Sequence, residues 1–294
     1  MEVVVASGKG GTGKTFLASN LSFYLKKEFG DVVAADADVE APDLLVSLGG
    51  ARQLFWKEDF YGTLRPIIDL ESCVRCWRCV EACEYRAIFK GGNGPVIDYD
   101  KCEGLGTCAL VCPVEAIGLE KTHTGIIYAA ESNMGIPVVT GDLDLGQGSS
   151  GRLVYVLKEK AFKLALSKGA KYRVIDAAPG IGCPVISSIA GSDLLVVVVE
   201  PTPQSVKGAE RLLKVSEILK VKAVAVVNKY DLNPNFARSL SKRLKVEVAG
   251  LIPYDDAVIK SYSSMVPLLE FRPDSKAAKA TREVLNYIVE GWFK

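Results

Sequence analysis

The stretch from Gly8 to Thr15, G-K-G-G-T-G-K-T, has the residue types and spacing needed to hold a chain of phosphates. Gly8, Gly10, Gly11 and Gly13, with Thr12 among them, let successive backbone N–H groups turn inward on an anion. A helix starting directly behind them adds its dipole. Lys14 would reach the β- and γ-phosphates of a nucleotide, and the Thr15 hydroxyl would hold Mg²⁺. A second grouping is made of thiols. Cys73, Cys76, Cys79 and Cys83 stand two, two and three residues apart, and Cys102, Cys108 and Cys112 repeat three of those four positions. Thiolates in such runs bind soft metals.

These residues need elements to position them. The apolar run Val3–Ala6 before the loop reads as a buried strand, and residues about 14 to 28 as the helix behind it. A second buried strand, Asp31–Ala35, ends in Asp36 and Asp38. Another, Tyr172–Ile175, ends in Asp176, with Gly180 four residues on. Carboxylates at the C-terminal ends of parallel strands lie in the crevice where open α/β sheets bind ligands. Gly125–Ala129, Pro137–Thr140, Leu194–Val199 and Val224–Val227 read as further strands, with helices at about 150–167, 203–220 and 275–293. The alternation predicts an α/β fold, a doubly wound, mostly parallel sheet with helices on both faces.

The interval from Tyr61 to Thr122 breaks that alternation. It is rich in cysteine and turns, and it repeats itself at an offset of 29 residues. Cys73, Cys79, Cys83, Ala87 and Ile88 recur as Cys102, Cys108, Cys112, Ala116 and Ile117, and the approach Ile68–Ser72 recurs as Ile97–Lys101. The expected organisation is a small inserted domain, 61–122, within a discontinuous one, 1–60 and 123–294. Its insertion point is placed after the second strand. Zinc is the alternative occupant of such thiols.

Composition narrows the partners. With 294 residues and a hydrophobic share of 49%, the chain can bury a sizeable core. Its formal net charge is +1 with no basic block, which gives no reason to expect nucleic acid or an anionic membrane as partner. No signal peptide or bilayer-spanning run is read, so a cytoplasmic protein is expected. In that reducing compartment eight cysteines point to metal rather than disulfides. The terminal helix carries Ala278, Arg282, Leu285, Ile288, Val289 and Trp292 near one face and lacks a lysine-rich one. It reads as a docked core helix rather than a membrane anchor. His123 reads as a loop residue.

Lys9, directly after the first glycine of the loop, resembles the signature lysine of the deviant P-loop class. That class includes MinD, ParA, the nitrogenase iron protein and the Mrp-type iron–sulfur carrier ATPases. The resemblance implies a homodimer formed on ATP binding, with Lys9 crossing to the partner's nucleotide. It assigns Asp36 and Asp176 to the Mg²⁺ side, Asp38 to the attacking water and the Gly180 N–H to the γ-phosphate. Asn228-Lys229-Tyr230-Asp231 matches the guanine signature N-K-x-D, in which Asp231 would accept from guanine. In the deviant class the same Asn contacts adenine, so ATP is expected and GTP stays open. Pro253, in Ile252–Asp255, belongs to the loop that closes over the base in these relatives.

The first cysteine run is similar to that of bacterial two-cluster ferredoxins. Carried over, that resemblance gives Cys73, Cys76, Cys79 and Cys112 to a [4Fe-4S] cluster, and Cys83, Cys102 and Cys108 to a second. The fourth ligand of the second would stand where Leu105 is, which implies [3Fe-4S] or an incompletely ligated [4Fe-4S] cluster. Cys183, seven residues past Asp176, matches a cluster ligand of the nitrogenase iron protein. The companion position there is Ser149 here, so a small thiol near the switch is the plainer reading. The whole resembles MinD-superfamily ATPases with an inserted ferredoxin domain. That implies an ATPase whose dimer switching is coupled to electron transfer or cluster assembly with a redox or iron–sulfur client protein. The alternative is a MinD-like positioning or scaffold ATPase whose clusters are structural.

Overall fold

The computed structural model describes residues 1–292. The opening apolar run is β1 (Glu2–Ser7), and the glycine loop leads into α1 (Lys14–Phe29). Then come β2 (Val32–Ala37), the single turn α2 (Leu44–Ser47) and β3 (Ala51–Phe60). The cysteine-bearing stretch contains β4 (Thr63–Ile68), α3 (Arg78–Glu81), β5 (Ile88–Lys90), β6 (Pro95–Ile97), α4 (Thr107–Leu110) and β7 (Ile117–Thr122). β8 (Gly125–Ser132), β9 (Pro137–Leu143), α5 (Ser150–Lys168), β10 (Tyr172–Pro179) and α6 (Cys183–Ile189) follow. The chain continues through β11 (Leu194–Val199), α7 (Pro203–Leu219), β12 (Lys222–Asn228) and α8 (Pro234–Leu244). It then forms β13 (Val248–Ile252), α9 (Asp256–Ser263), α10 (Leu268–Phe271) and α11 (Lys276–Trp292).

Nine strands make one sheet in the order β13-β12-β11-β1-β10-β2-β9-β8-β3. Every pairing from β13 across to β9 is parallel. The central strands are covered on both faces, which is why Val3–Ala6, Val32–Ala35 and Leu194–Val199 are continuous apolar runs instead of alternating ones. All the parallel strands end toward one rim, and there the phosphate loop, Asp36, Asp176, Glu200 and Asn228 sit. β3 is the strand the sequence pattern hides. As an edge strand most of its side chains are exposed, so Ala51–Asp59 neither alternates nor runs apolar. The cysteine-bearing stretch therefore leaves the sheet after β3, one strand later than expected.

α11 lays Ala277, Ala278, Val284, Leu285, Ile288 and Val289 into the main core. Its apolar face is thus used inside the fold, as the docked-helix reading requires; Phe293, the last residue of that expectation, lies outside the described residues. Among the described residues no helix is long and apolar enough to cross a membrane.

The chain divides into two compact units: residues 1–58, 127–142 and 150–294, and residues 59–126 with 143–149. In the second unit the sequence repeat is also a repeat of backbone. Ile68 pairs with Ile117 in the β4–β7 ladder, and Ile97 with Ile88 in the β5–β6 ladder. Asp69 N–H donates to Ala116 O at 2.8 Å, while Asp98 N–H donates to Ala87 O at 2.7 Å. α3 and α4 occupy equivalent places. Left-handed backbone recurs as well, at Arg75 and Gly104, Trp77 and Gly106, Arg86 and Glu115.

Candidate functional site

The phosphate loop is held open from below by its own backbone. Gly13 has φ +95°, and a Cβ there would lie 2.3 Å from Asn228 Nδ2, so only glycine fits. Gly8 is required for a different reason. A Cβ on it would sit 2.2 Å from the backbone of Gly208 in α7, so loop and helix touch main chain to main chain. A cleft of about 510 Å³ opens above, lined by Gly10, Gly11 and Gly13 from the loop and Lys14, Thr15 and Phe16 from the start of α1. Asp38, Ala41, Asp43, Pro179, Asn228, Lys229, Pro253, Tyr254, Asp255 and Tyr262 complete the lining.

Lys14 Nζ lies 3.4 Å from Asp38 Oδ2 and 3.5 Å from Asp176 Oδ1. Burial pulls its pKa down, but Asp176, Asp38 and Asp36 more than offset that, and it sits above the ordinary lysine value. Thr15 Oγ1 donates to Asp176 Oδ2 at 2.6 Å. Asp176 is fully buried, and burial pushes its pKa up to about 6 against the pull of Lys14 and Thr15. Its Oδ1 is buried and accepts no hydrogen bond. A hydroxyl beside a carboxylate whose buried oxygen takes no hydrogen bond and faces the Lys14 ammonium at 3.5 Å is a hard donor set of the kind Mg²⁺ takes, so these residues fit that ion.

Asp36 is also fully buried, with a pKa raised by burial and then by Asp176. Both of its oxygens are committed to the following loop, taking N–H groups of Asp38 at 3.2 Å and Leu44 at 2.8 Å. It therefore shapes the segment that presents Asp38. Gly180 does not line the cleft; its N–H donates to Ser7 O at 2.9 Å, tying that turn to the end of β1.

At the base end, Asn228 Nδ2 donates to Thr12 O at 2.8 Å and so braces the phosphate loop. Asp231 stands outside the cleft lining. Its Oδ1 accepts the Tyr254 N–H at 2.7 Å, holding the loop around Pro253, and its Oδ2 faces Lys276 at 3.8 Å. Tyr262 donates its hydroxyl to Asp43, joining α9 to the Asp38 segment.

Lys9 has a partner within its own subunit. Its Nζ is 2.9 Å from Glu200 Oε2, at the end of β11, while Lys229 Nζ is 2.7 Å from Glu200 Oε1 and donates to Gly11 O at 3.0 Å. Burial pushes the Glu200 carboxyl up, but the two lysines outweigh it and the pKa lies below the ordinary value. Glu200 was not among the sequence candidates, although the strand-end rule that picked out Asp36 and Asp176 applies to it equally. Tyr262 and Asp43 had no local signal.

In the second unit the thiols divide between two cavities. Cys73, Cys76, Cys79 and Cys112 line one; Cys83, Cys102 and Cys108 line the other, with Leu105 at its wall. Equivalent thiols take equivalent bonds: Ala87 N–H donates to Cys83 Sγ at 3.3 Å and Ala116 N–H to Cys112 Sγ at 3.2 Å. Burial pushes the Cys79 and Cys108 thiols up. Among the described residues no three His, Cys, Asp or Glu side chains are grouped so as to hold a metal ion. His123 is taken up by Asp144 at 2.8 Å and Asp59 at 3.3 Å. Cys183 is exposed, in the first unit at the start of α6.

The model of the CobQ/CobB/MinD/ParA nucleotide binding domain family matches residues 3–268. The uncharacterized protein MJ0578 of Methanocaldococcus jannaschii is 33% identical over 99% of this chain and 97% of its own. Among solved structures, the cell division ATPase MinD of Pyrococcus furiosus superposes with TM-score 0.61 at 18% identity, covering 98% of each chain. The septum site-determining protein MinD of Pyrococcus horikoshii, complexed with Mg-ADP, gives 0.60 at 16% identity, covering 98% and 95%. At that identity the two structures speak to the fold.

Proposed function

This chain belongs to the CobQ/CobB/MinD/ParA nucleotide-binding family, and from that premise we propose that it is an ATP-hydrolysing switch of the MinD/ParA positioning or partitioning type. The single observation that carries this is Lys14 between Asp38 and Asp176, with Thr15 on Asp176, at the mouth of a glycine loop. Of the two readings set out from the sequence, the comparisons favour this one over coupling to iron–sulfur chemistry. ATP is the expected substrate. Asp231 spends an oxygen on Tyr254 N–H that a guanine reader would need for the base.

Phosphoryl transfer asks mainly for positioning and charge neutralisation. The N–H groups of the loop would take the phosphate oxygens, Lys14 would neutralise the β- and γ-phosphates, and Asp38 would orient the attacking water. Mg²⁺, held by Thr15 with Asp176 behind it, would supply further charge neutralisation on the phosphate oxygens. A second copy would contribute Lys9, giving a homodimer on ATP binding. Mg²⁺-dependent hydrolysis of ATP in preference to GTP, by a species that sediments as a dimer with ATP and a monomer with ADP, tests this. Equal rates with and without Mg²⁺, or one sedimenting species throughout, would sink it.

A second reading concerns residues 61–122, taken as a ferredoxin-like module carrying iron–sulfur clusters. The division of seven cysteines into four and three around separate cavities favours it. Thiols that ring a space, rather than meeting at a point, suit a cluster better than one zinc ion. Iron and sulfide counts with electron paramagnetic resonance on anaerobically purified protein decide the matter. Zinc, or no metal, would end this reading and leave the first intact.

A further inference from the structure

We propose that Glu200 is a latch on Lys9, holding that ammonium inside its own subunit until a second copy's nucleotide competes for it, and so setting the ATP concentration at which subunits pair. The inference rests on the reading above in which Lys9 reaches a partner's phosphates. Three features of the corner between β11 and α7 support it.

The backbone that carries the carboxylate is fixed. Glu200 N–H donates to Ser205 Oγ at 3.0 Å and its carbonyl accepts the Thr202 N–H at 2.7 Å, so the first turn of α7 grips its backbone. The lysine is the looser partner, with 29% of its side chain exposed against 9% for Glu200. Its departure would also leave no buried charge unpaired. Removing the sole partner of a buried carboxylate is strongly destabilising. Here Lys229 stays at 2.7 Å, anchored on Gly11 O, after Lys9 has gone. One carboxylate shared by two ammonium groups is a weak competitor against a triphosphate carrying several charges. The exchange therefore runs toward the partner when ATP is bound there.

The test is an ATP titration of the full chain with Mg²⁺, reading the dimer fraction by sedimentation velocity, for the wild type, Glu200→Gln, Lys229→Ala and Lys9→Ala. ATP affinity is measured separately on dilute subunits. Glu200→Gln should lower the ATP midpoint for pairing by about fivefold or more, the size of a modest coupling between sites. Lys229→Ala should raise it, relative to its own ATP affinity, because Lys9 then becomes the carboxylate's only cation among the described residues. Lys9→Ala should not pair. If the wild type never pairs with ATP, or Lys9→Ala pairs like the wild type, the crossing role of Lys9 fails and the latch with it. If Lys9→Ala fails to pair while Glu200→Gln binds ATP normally and pairs no more readily than the wild type, the latch alone is overturned. Should Glu200→Gln lose ATP affinity, Lys229→Ala decides, and an unchanged or lower midpoint overturns the latch.

Discussion

The sheet unit surrounds its phosphate loop with a core of strands buried on both faces, whereas the cysteine unit gathers its core from Cys79, Ile88, Cys108 and Ile117. In the first, the residues that would do chemistry lie at the rim and the residues that hold the fold lie beneath them. In the second the two sets overlap, since two of the four core residues are candidate ligands. A unit that small seldom stands on hydrophobic burial alone and usually needs a staple. Function and stability should therefore separate in the sheet unit and be inseparable in the cysteine unit.

The largest expected effect is Lys14→Ala, which should reduce ATP hydrolysis by about a hundredfold or more while leaving any iron content unchanged. A loss of iron in that variant would erase the separation between the units. If the second reading holds, Cys79→Ser and Cys108→Ser should behave oppositely, each lowering bound iron by about half and destabilising the cysteine unit by about 2 kcal/mol. Protease susceptibility of 61–122 and iron counts would show this, with ATP binding retained. Retention of full iron and stability in both variants would mean the thiols are packing groups only.

Within the sheet unit, Gly8→Ala should cost about 1–3 kcal/mol, since its Cβ would meet Gly208. Gly10→Ala, with nothing within 4 Å of its Cβ, should stay within about 0.5 kcal/mol. Chemical denaturation of the two variants reads the difference directly. The smallest effect is expected for Leu105→Cys, which restores the missing member of the repeat. On the reading in which the second site holds a cluster, it should add about one iron per chain there and change the paramagnetic signal, with hydrolysis untouched. An unchanged signal would remove Leu105 from the account.

How much of this was legible in the sequence follows from how local each signal is. The phosphate loop is readable because its backbone conformation demands glycine at fixed places, and Gly13 and Gly8 are immovable for the reasons given. The strand-end aspartates are readable because parallel strands deliver their ends to one rim. The internal two-fold was visible as matching cysteines and isoleucines, and the ladder pairs of Ile68 with Ile117 and Ile97 with Ile88 are its physical form. What escaped is long-range or weakly patterned. β3 is an exposed edge, α6 and α9 are too short for a clear helical period, and Tyr262 meets Asp43 across most of the chain's length. Lys9 was read for its expected partner in another subunit, and the nearer one, Glu200, is a contact between residues far apart in sequence.

The contact between Gly8 and Gly208 bears on how the molecule can move. Wherever side chains intervene between a helix and a loop, their rotamers act as a cushion that takes up small displacements. Here two main chains abut, with a Cβ on either glycine falling within 2.7 Å of the other's backbone. The joint has no slack. α7 at Gly208 and the start of the phosphate loop at Gly8 are therefore coupled main chain to main chain, so a displacement of that part of the helix is passed to the loop without side chains to absorb it.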